Sequence, residues 1–234
     1  MDKEIKIFNE YYSRFDDEDL NIHRKYTHTF RVVGYAERIA KSLKLSEEDI
    51  TLAKVCALFH DIGRFVQWRD YQTYVDPISI DHGDLSASIL DSLGYENDIV
   101  RMAVKYHNKY AIPDDLSERE KMFCNITRDA DKIDILETQK VYDINESVYK
   151  MSPEIRDDID NRRLVSDKKY DKEGYDFYRN LAFLFDVKYP ESFKILKELD
   201  FINKQFDIVA NEVGEEPIKE YRKIFNDYLN ERIG

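Results

Sequence analysis

Residues 56–65 read CALFHDIGRF: an imidazole and a carboxylate, His60 and Asp61, stand side by side with apolar residues on both flanks. A charged pair inside a buried stretch is costly unless it is paired or holds a metal. The decapeptide therefore has to be read with whatever else in the chain can face it. Upstream, Ser46 followed by Glu48 and Asp49 has the form of a helix start, and Ile50, Ala53 and Ala57 lead along an apolar face to Leu58, Phe59 and His60. Gly63 ends or bends that helix.

The same period of three and four extends outward on both sides. Over 28–43, Val32, Ala36, Ile39 and Leu43 make one apolar stripe. Residues 64–81, RFVQWRDYQTYVDPISID, read as a loop-like connection. Asp81 can cap a helix whose His82, Leu85, Ser86, Ile89 and Leu93 share a face, with Gly94 where a C-terminal cap belongs. Ile99, Ala103 and His107 recur at four, Pro113 and Asp114 break the chain, and a further helix is expected over 117–140. Residues 141–180 are polar and weakly periodic, while 181–230 return to amphipathic segments such as LAFLFDV, FKILKELDFINKQF and IKEYRKIFNDYL. Seven glycines and five prolines in 234 residues fall well below the usual share of about 12%, so turns are few and a many-stranded sandwich or barrel is disfavoured. The expectation is an all-α chain forming a single domain over 1–234, with a helical core at about 20–140 and a helical extension at about 141–234.

Composition narrows the partners. With 48 acidic against 36 basic residues the formal net charge is −12, which repels duplex nucleic acid. A small phosphorylated ligand stays compatible, because a bound cation reverses the local field. An apolar share of 42%, with 17 tyrosines and 13 phenylalanines, excludes intrinsic disorder. Cys56 and Cys124 make no disulfide framework. The opening MDKEIKIFNEYYSRFDDED has no apolar leader run, and no stretch has the length of apolar residues a membrane span needs. A soluble cytoplasmic protein is expected, without a membrane partner.

The chemistry-bearing residues are spread one or two to a helix: His28, then His60 and Asp61, His82, His107, and an acidic cluster of Asp129, Asp131 and Asp134. A lone semi-buried histidine is more often a hydrogen-bonded core residue than a ligand. Four of them with an acidic helix, each on the apolar side or at the end of its helix, point to a shared centre. Nitrogen and oxygen donors without thiolate suit Mn, Fe, Co, Ni or Zn, with Mg as a further option, and argue against a structural thiolate zinc site. A carboxylate next to a histidine ligand can bridge two ions, and a pair about 3.5–4 Å apart would polarise a phosphoryl group and activate water. Periodicity sets Asp129 nearer than Asp131 to the stripe of Met122, Ile126, Ile133 and Leu136. Arg64 and, more weakly, Lys132 and Lys105 are cations placed to hold a substrate phosphate, with surface ion pairs as the alternative. The basic run NRRLVSDKK (161–169) reads as a solvated loop ahead of a phosphate-facing lid, and Trp68, Tyr71 and Tyr74 as core or surface aromatics ahead of a base-stacking platform.

Together these motifs resemble the HD-domain metal-dependent phosphohydrolases over roughly residues 20–140. The resemblance rests on His28 in KYTHTFRVVGYAERIA, His60-Asp61 in LFHDIGRF, and Asp131 in TRDADKIDIL. The Ala-Asp pattern of that family selects Asp131 as the distal acid. His82 in DHGDLSASIL and His107 in VKYHNKY match the additional histidines of binuclear branches. By resemblance, His28, His60, Asp61 and Asp131 would hold one ion, and Asp61, His82 and His107 a second. In mononuclear relatives the latter two histidines contact phosphate or donate a proton, so one or two ions are both admitted. Arg64 stands where relatives carry Lys or Arg. The implied function is hydrolysis of a phosphomonoester, phosphodiester or phosphoanhydride, first of all of a nucleotide, by metal-activated water. Asp61, His82 and His107 would be the catalytic groups, Asp61 anchoring the centre and accepting a proton. The alternative is a metal-binding regulatory or ligand-binding module with little turnover; a di-iron oxygenase is a weaker third. The partner expected is a small phosphorylated substrate, and the apolar faces over 181–230 would suit a homodimer as well as a core.

Overall fold

Short acceptor side chains mark where several helices of this chain begin, and buried faces decide how they pack. The structure is a computed structural model and describes residues 1–138, 151–169 and 171–233. The described residues are helical, with no strand among them. The chain is all-α.

The elements run α1 (Asp2–Tyr12), α2 (Leu20–Ser42), α3 (Glu47–Phe59), α4 (Arg64–Tyr71), α5 (His82–Ser92), α6 (Asp98–Tyr106) and α7 (Glu118–Thr138). Asp19 accepts from the amides of Asn21 and Ile22 at the start of α2, Ser46 from Asp49 ahead of α3, Asp81 from Asp84 ahead of α5, and Asn97 from Val100 ahead of α6. Gly94, at φ +65°, takes the left-handed turn just beyond α5. α3 buries Ala53 and every residue from Val55 to Phe59, so it lies inside the core rather than on its surface. It packs on α1, α2 and α6, and α6 packs in turn on α5. The core also reaches further towards the N-terminus than residue 20. Phe8 of α1 is fully buried and meets Phe30 and Phe65 with ring centroids 5.9 Å apart.

Two boundaries differ from the sequence reading. α2 begins at Leu20, two turns before the stripe that starts at residue 28. Residues 64–71, expected as loop, form α4. Its pattern is hidden because a fully buried glutamine, Gln67, takes an inward position that an apolar residue would have advertised. Gln72, at φ +54°, then ends the helix. Between α3 and α4 the chain turns tightly through His60–Gly63, with Ile62 N bonded to Phe59 O at 3.2 Å and Arg64 N to Asp61 O at 2.9 Å. Gly63 abuts α5: its amide donates to Ser86 Oγ at 2.9 Å. A Cβ on Gly63 would lie 2.9 Å from Ser86 N and 3.0 Å from His82 O.

The chain's contacts gather into two compact units, Met1–Asp131 and Lys132–Gly234, whereas the sequence alone suggests one domain with a core ending near residue 140. The second unit contains α8 (Pro153–Asp160), α9 (Tyr175–Leu181), α10 (Pro190–Leu199), α11 (Phe201–Val213) and α12 (Lys219–Ile233). FKILKELDFINKQF, expected as one helix, is two. Asp200 sits at φ +50° between α10 and α11 and breaks the run without a glycine or proline to signal it. LAFLFDV is mostly a 3-10 segment, Ala182–Asp186, following α9. The apolar faces of these helices fill the unit's own core, where Phe185 stacks on Phe225 at 5.1 Å and Phe206 lies 6.1 Å from the same ring. Residues 141–150 of the polar stretch, and the expected end of α7 at 139–140, lie outside the described residues.

Candidate metal centre

Three imidazoles of the first unit are oriented locally before they meet the others. His60, at the end of α3, turns Nδ1 to the carbonyl of Ala57 at 2.6 Å. His107, at the end of α6, does the same to Val104 at 2.7 Å. His82, the first residue of α5, turns Nδ1 to Asp76 Oδ2 at 2.5 Å. Carbonyl and carboxylate oxygens only accept, so each Nδ1 donates. In the neutral ring each Nε2 then carries a lone pair rather than a hydrogen.

Those lone pairs converge. His28 Nε2 on α2 stands 3.2 Å from His60 Nε2, 3.3 Å from Asp61 Oδ2 and 3.2 Å from Asp131 Oδ1 on α7. His60 Nε2 lies 3.5 Å from each of the same two oxygens. The other oxygen of Asp61 faces a second pair: Oδ1 is 3.4 Å from His82 Nε2 and 3.5 Å from His107 Nε2, which are themselves 3.0 Å apart. Acceptors crowded against acceptors repel unless a proton or cation stands among them. Divalent ions of the Zn class bind nitrogen and oxygen at about 2.0–2.2 Å, which spaces neighbouring tetrahedral ligands about 3.4 Å apart. The spacing here matches, and all six side chains have little or no exposure: His60 is fully buried and Asp61 2% exposed. The donor set fits a divalent ion, and two groups of side chains, His28–His60–Asp131 and His60–Asp61–His107, are close enough to hold one.

The electrostatics keep these groups in ligand form. Burial opposes charge on Asp61, but the Lys25 charge beside it and the contacts of His60, His107 and His28 hold its carboxyl well below the usual range. Asp131 is likewise depressed against burial by its contacts with His28 and His60. Burial, helped by the Arg64 charge, pushes His82 down to about 3 in spite of its bond to Asp76. Asp76 is itself held low against burial by His82 and Arg64.

The structure thus brings together all six residues singled out as metal ligands. Asp131, not the more deeply buried Asp129, belongs to the cluster. Arg64 lies beside it with Nε 3.5 Å from Asp61 Oδ1, but its Nη1 is tied to Gln67 Oε1 at 2.5 Å, Tyr74 O at 2.8 Å and Asp76 Oδ1 at 3.0 Å. Lys132 is buried, and its ammonium donates to Asp186 Oδ2 within the second unit at 2.5 Å. In the run 161–169, Arg162 pairs with Glu231 at 2.6 Å, and Lys169 with Asp158 at 2.5 Å. Trp68 and Tyr74 pack on each other at 5.1 Å.

Three participants escaped the sequence reading. Lys25 donates to Asp61 Oδ2 at 2.8 Å. Asp76 fixes His82 and also receives Asn108 Nδ2 at 3.0 Å. Lys25 had a signal, standing one turn before His28 on the same face of α2. Asp76 and Asn108 had none, since loop paths bring them in.

The family model for the HD domain matches residues 26–139. The chain carries an HD domain. Every candidate ligand falls within that HD domain, from His28 to Asp131, and the superfamily is that of the HD metal-dependent phosphohydrolases. HD domains bind divalent metals, which agrees with the donor set found here. Searches of curated proteins and of solved structures found no match.

Proposed function

We propose that the chain is a metal-dependent phosphohydrolase that acts on a small phosphate ester or anhydride, with nucleotides as the first substrate class. The observation that carries this is the division of Asp61 between two sets of imidazoles through its two oxygens. His28, His60, Asp61 and Asp131 would hold one ion; Asp61, His82 and His107 would hold the other. Imidazole-rich donors favour Mn, Fe, Co, Ni or Zn over Mg. Bound there, such ions supply charge to phosphoryl oxygens and lower the pKa of a water.

The chain's own residues supply the orientation. Ala57, Val104 and Asp76 fix three ring tautomers through Nδ1, so each Nε2 is ready as a donor without rearrangement. The depressed pKa of Asp61 favours anchoring over taking a proton, because a weakly basic carboxylate is a poor acceptor at neutral pH. Two buried free thiols, Cys56 and Cys124, suit a reducing cytoplasm. No helix of the described residues is long and apolar enough to cross a membrane, and the net charge of −12 argues against duplex nucleic acid as partner.

The test pairs elemental analysis with a substrate panel of phosphomonoesters, phosphodiesters and nucleoside polyphosphates, run with Mn, Co, Ni and Mg. Turnover is expected with at least one ion. His60→Ala and Asp61→Ala are expected to lose most bound metal and to lower kcat/KM by at least about a hundredfold. Bound metal with no turnover on any ester would point to a binding module instead.

A further inference from the structure

In an acidic chain, three cations gather on one aromatic ring beside the metal centre. Arg24 Cζ, Lys25 Nζ and Arg64 Cζ lie 5.5, 5.3 and 5.5 Å from the centroid of Tyr74. The ring is fixed on both sides: Tyr74 donates its hydroxyl hydrogen to Asn21 O at 2.9 Å, and Trp68 packs against it at 5.1 Å. Like charges on one ring repel each other, and cation–π attraction offsets only part of that. The acids nearby compensate the three unevenly. Lys25 has Asp61, Arg64 has Asp76 at 3.0 Å while its Nε is buried without a hydrogen-bond partner, and exposed Arg24 makes no ion pair among the described residues.

The place of Lys25 is informative. Its ammonium is 2.8 Å from Asp61 Oδ2, the same oxygen that faces His28 and His60. An ion held by that oxygen satisfies the carboxylate and leaves the ammonium's charge available to an anion next to it. Arg64 borders Asp61 on its other oxygen, at 3.5 Å.

We infer that Arg24, Lys25 and Arg64, gathered round Tyr74, form an anion subsite for the phosphoryl oxygens of the substrate, with Lys25 innermost and Arg24 at the outer edge. The inference rests on the metal-centre reading above and names the side chains that would receive the phosphate there.

The experiment is calorimetric titration of inorganic phosphate into the full chain, loaded with Mn and freed of excess ion. Lys25→Met should hold wild-type Mn yet bind phosphate about tenfold more weakly. Lys25→Arg should restore affinity to within about threefold, and Arg24→Gln should weaken it by about threefold. Unchanged phosphate affinity in Lys25→Met overturns the subsite, and so does loss of Mn from that variant, which would make the lysine part of the metal centre. Should Lys25→Met fail to fold by circular dichroism, Arg24→Gln decides, since its side chain is exposed, and unchanged affinity there overturns the proposal. The readout needs no turnover. Phosphate bound through Lys25 without hydrolysis of any ester would sink the hydrolase and keep the subsite; hydrolysis with all variants binding phosphate alike would do the reverse.

Discussion

Asp61 puts one oxygen among His28 and His60 and the other between His82 and His107, so the orientation of a single carboxylate governs two donor sets. Its neighbours are oriented just as firmly. Asp76 receives His82 Nδ1 at 2.5 Å and Asn108 Nδ2 at 3.0 Å. An amide in place of that carboxylate would still fill the space but would no longer anchor the ring as an acceptor of both bonds. Asp76→Asn is expected to lower metal affinity about 10–100-fold while leaving the circular dichroism spectrum intact. Metal titration with a chromophoric chelator checks it, and wild-type affinity in the variant would remove Asp76 from the centre. At this scale the clustering of the side chains was legible, because four imidazoles and an acidic helix on apolar faces or helix ends are hard to explain singly, although periodicity favoured Asp129 and only the resemblance selected Asp131. Their supports were not legible. Asp76 sits among ordinary loop residues in TYVDPIS, and nothing in that string says which histidine it will meet.

Elements set the ligands' mutual distances, and the tightest junction is the one between the His60–Gly63 turn and α5. A Cβ at Gly63 would meet backbone atoms, Ser86 N at 2.9 Å and His82 O at 3.0 Å, which cannot rotate away as a side-chain tip could. Gly63→Ala is therefore expected to push α5 outward and to cost about 1–3 kcal/mol. A drop of several degrees in melting temperature, with weakened metal binding because His82 leads α5, is the expected outcome. Unaltered melting would mean that the junction yields freely. Helix existence was legible here from period and caps, as Ser46, Asp81 and Gly94 illustrate. Extents were less so. Gln67 hid α4 by standing inward as an amide, and Asp200 split an unbroken amphipathic pattern by adopting a left-handed backbone that its residue type does not announce.

For the molecule as a whole, all-helical architecture followed from scarce glycine and proline, but the division at Asp131/Lys132 did not. It falls inside α7, where helical periodicity runs on without a mark. The collected charges also give the metal-free protein a direction in acid. Asp61, Asp76 and Asp131 are depressed in the folded chain, so the stability they contribute is present above the unfolded carboxyl value of about 4 and is lost below it. His82, depressed to about 3, binds its proton more readily when unfolded, where its pKa is about 6.5. Its contribution is thus present above that value and lost as pH falls towards 3. Melting temperature in chelator should begin to fall below about pH 6.5 and fall faster below about pH 4. His82→Gln should flatten the first part of that curve, and an unchanged slope would show that the ring is not held neutral.

The Lys25–Asp61 contact bears on how such a protein is supplied with metal. In small zinc modules the ion is the folding energy, and its removal unfolds the chain. Here an ammonium tethered to the polypeptide already neutralises the buried acid at 2.8 Å, acting as a resident counter-ion from the moment the helices assemble. With that acid already paired, assembly of the helices would not require the ion, and loading would be an exchange of one cation for another at the carboxylate. Chelator-stripped protein should accordingly keep its helical content and melt in one sharp transition near neutral pH.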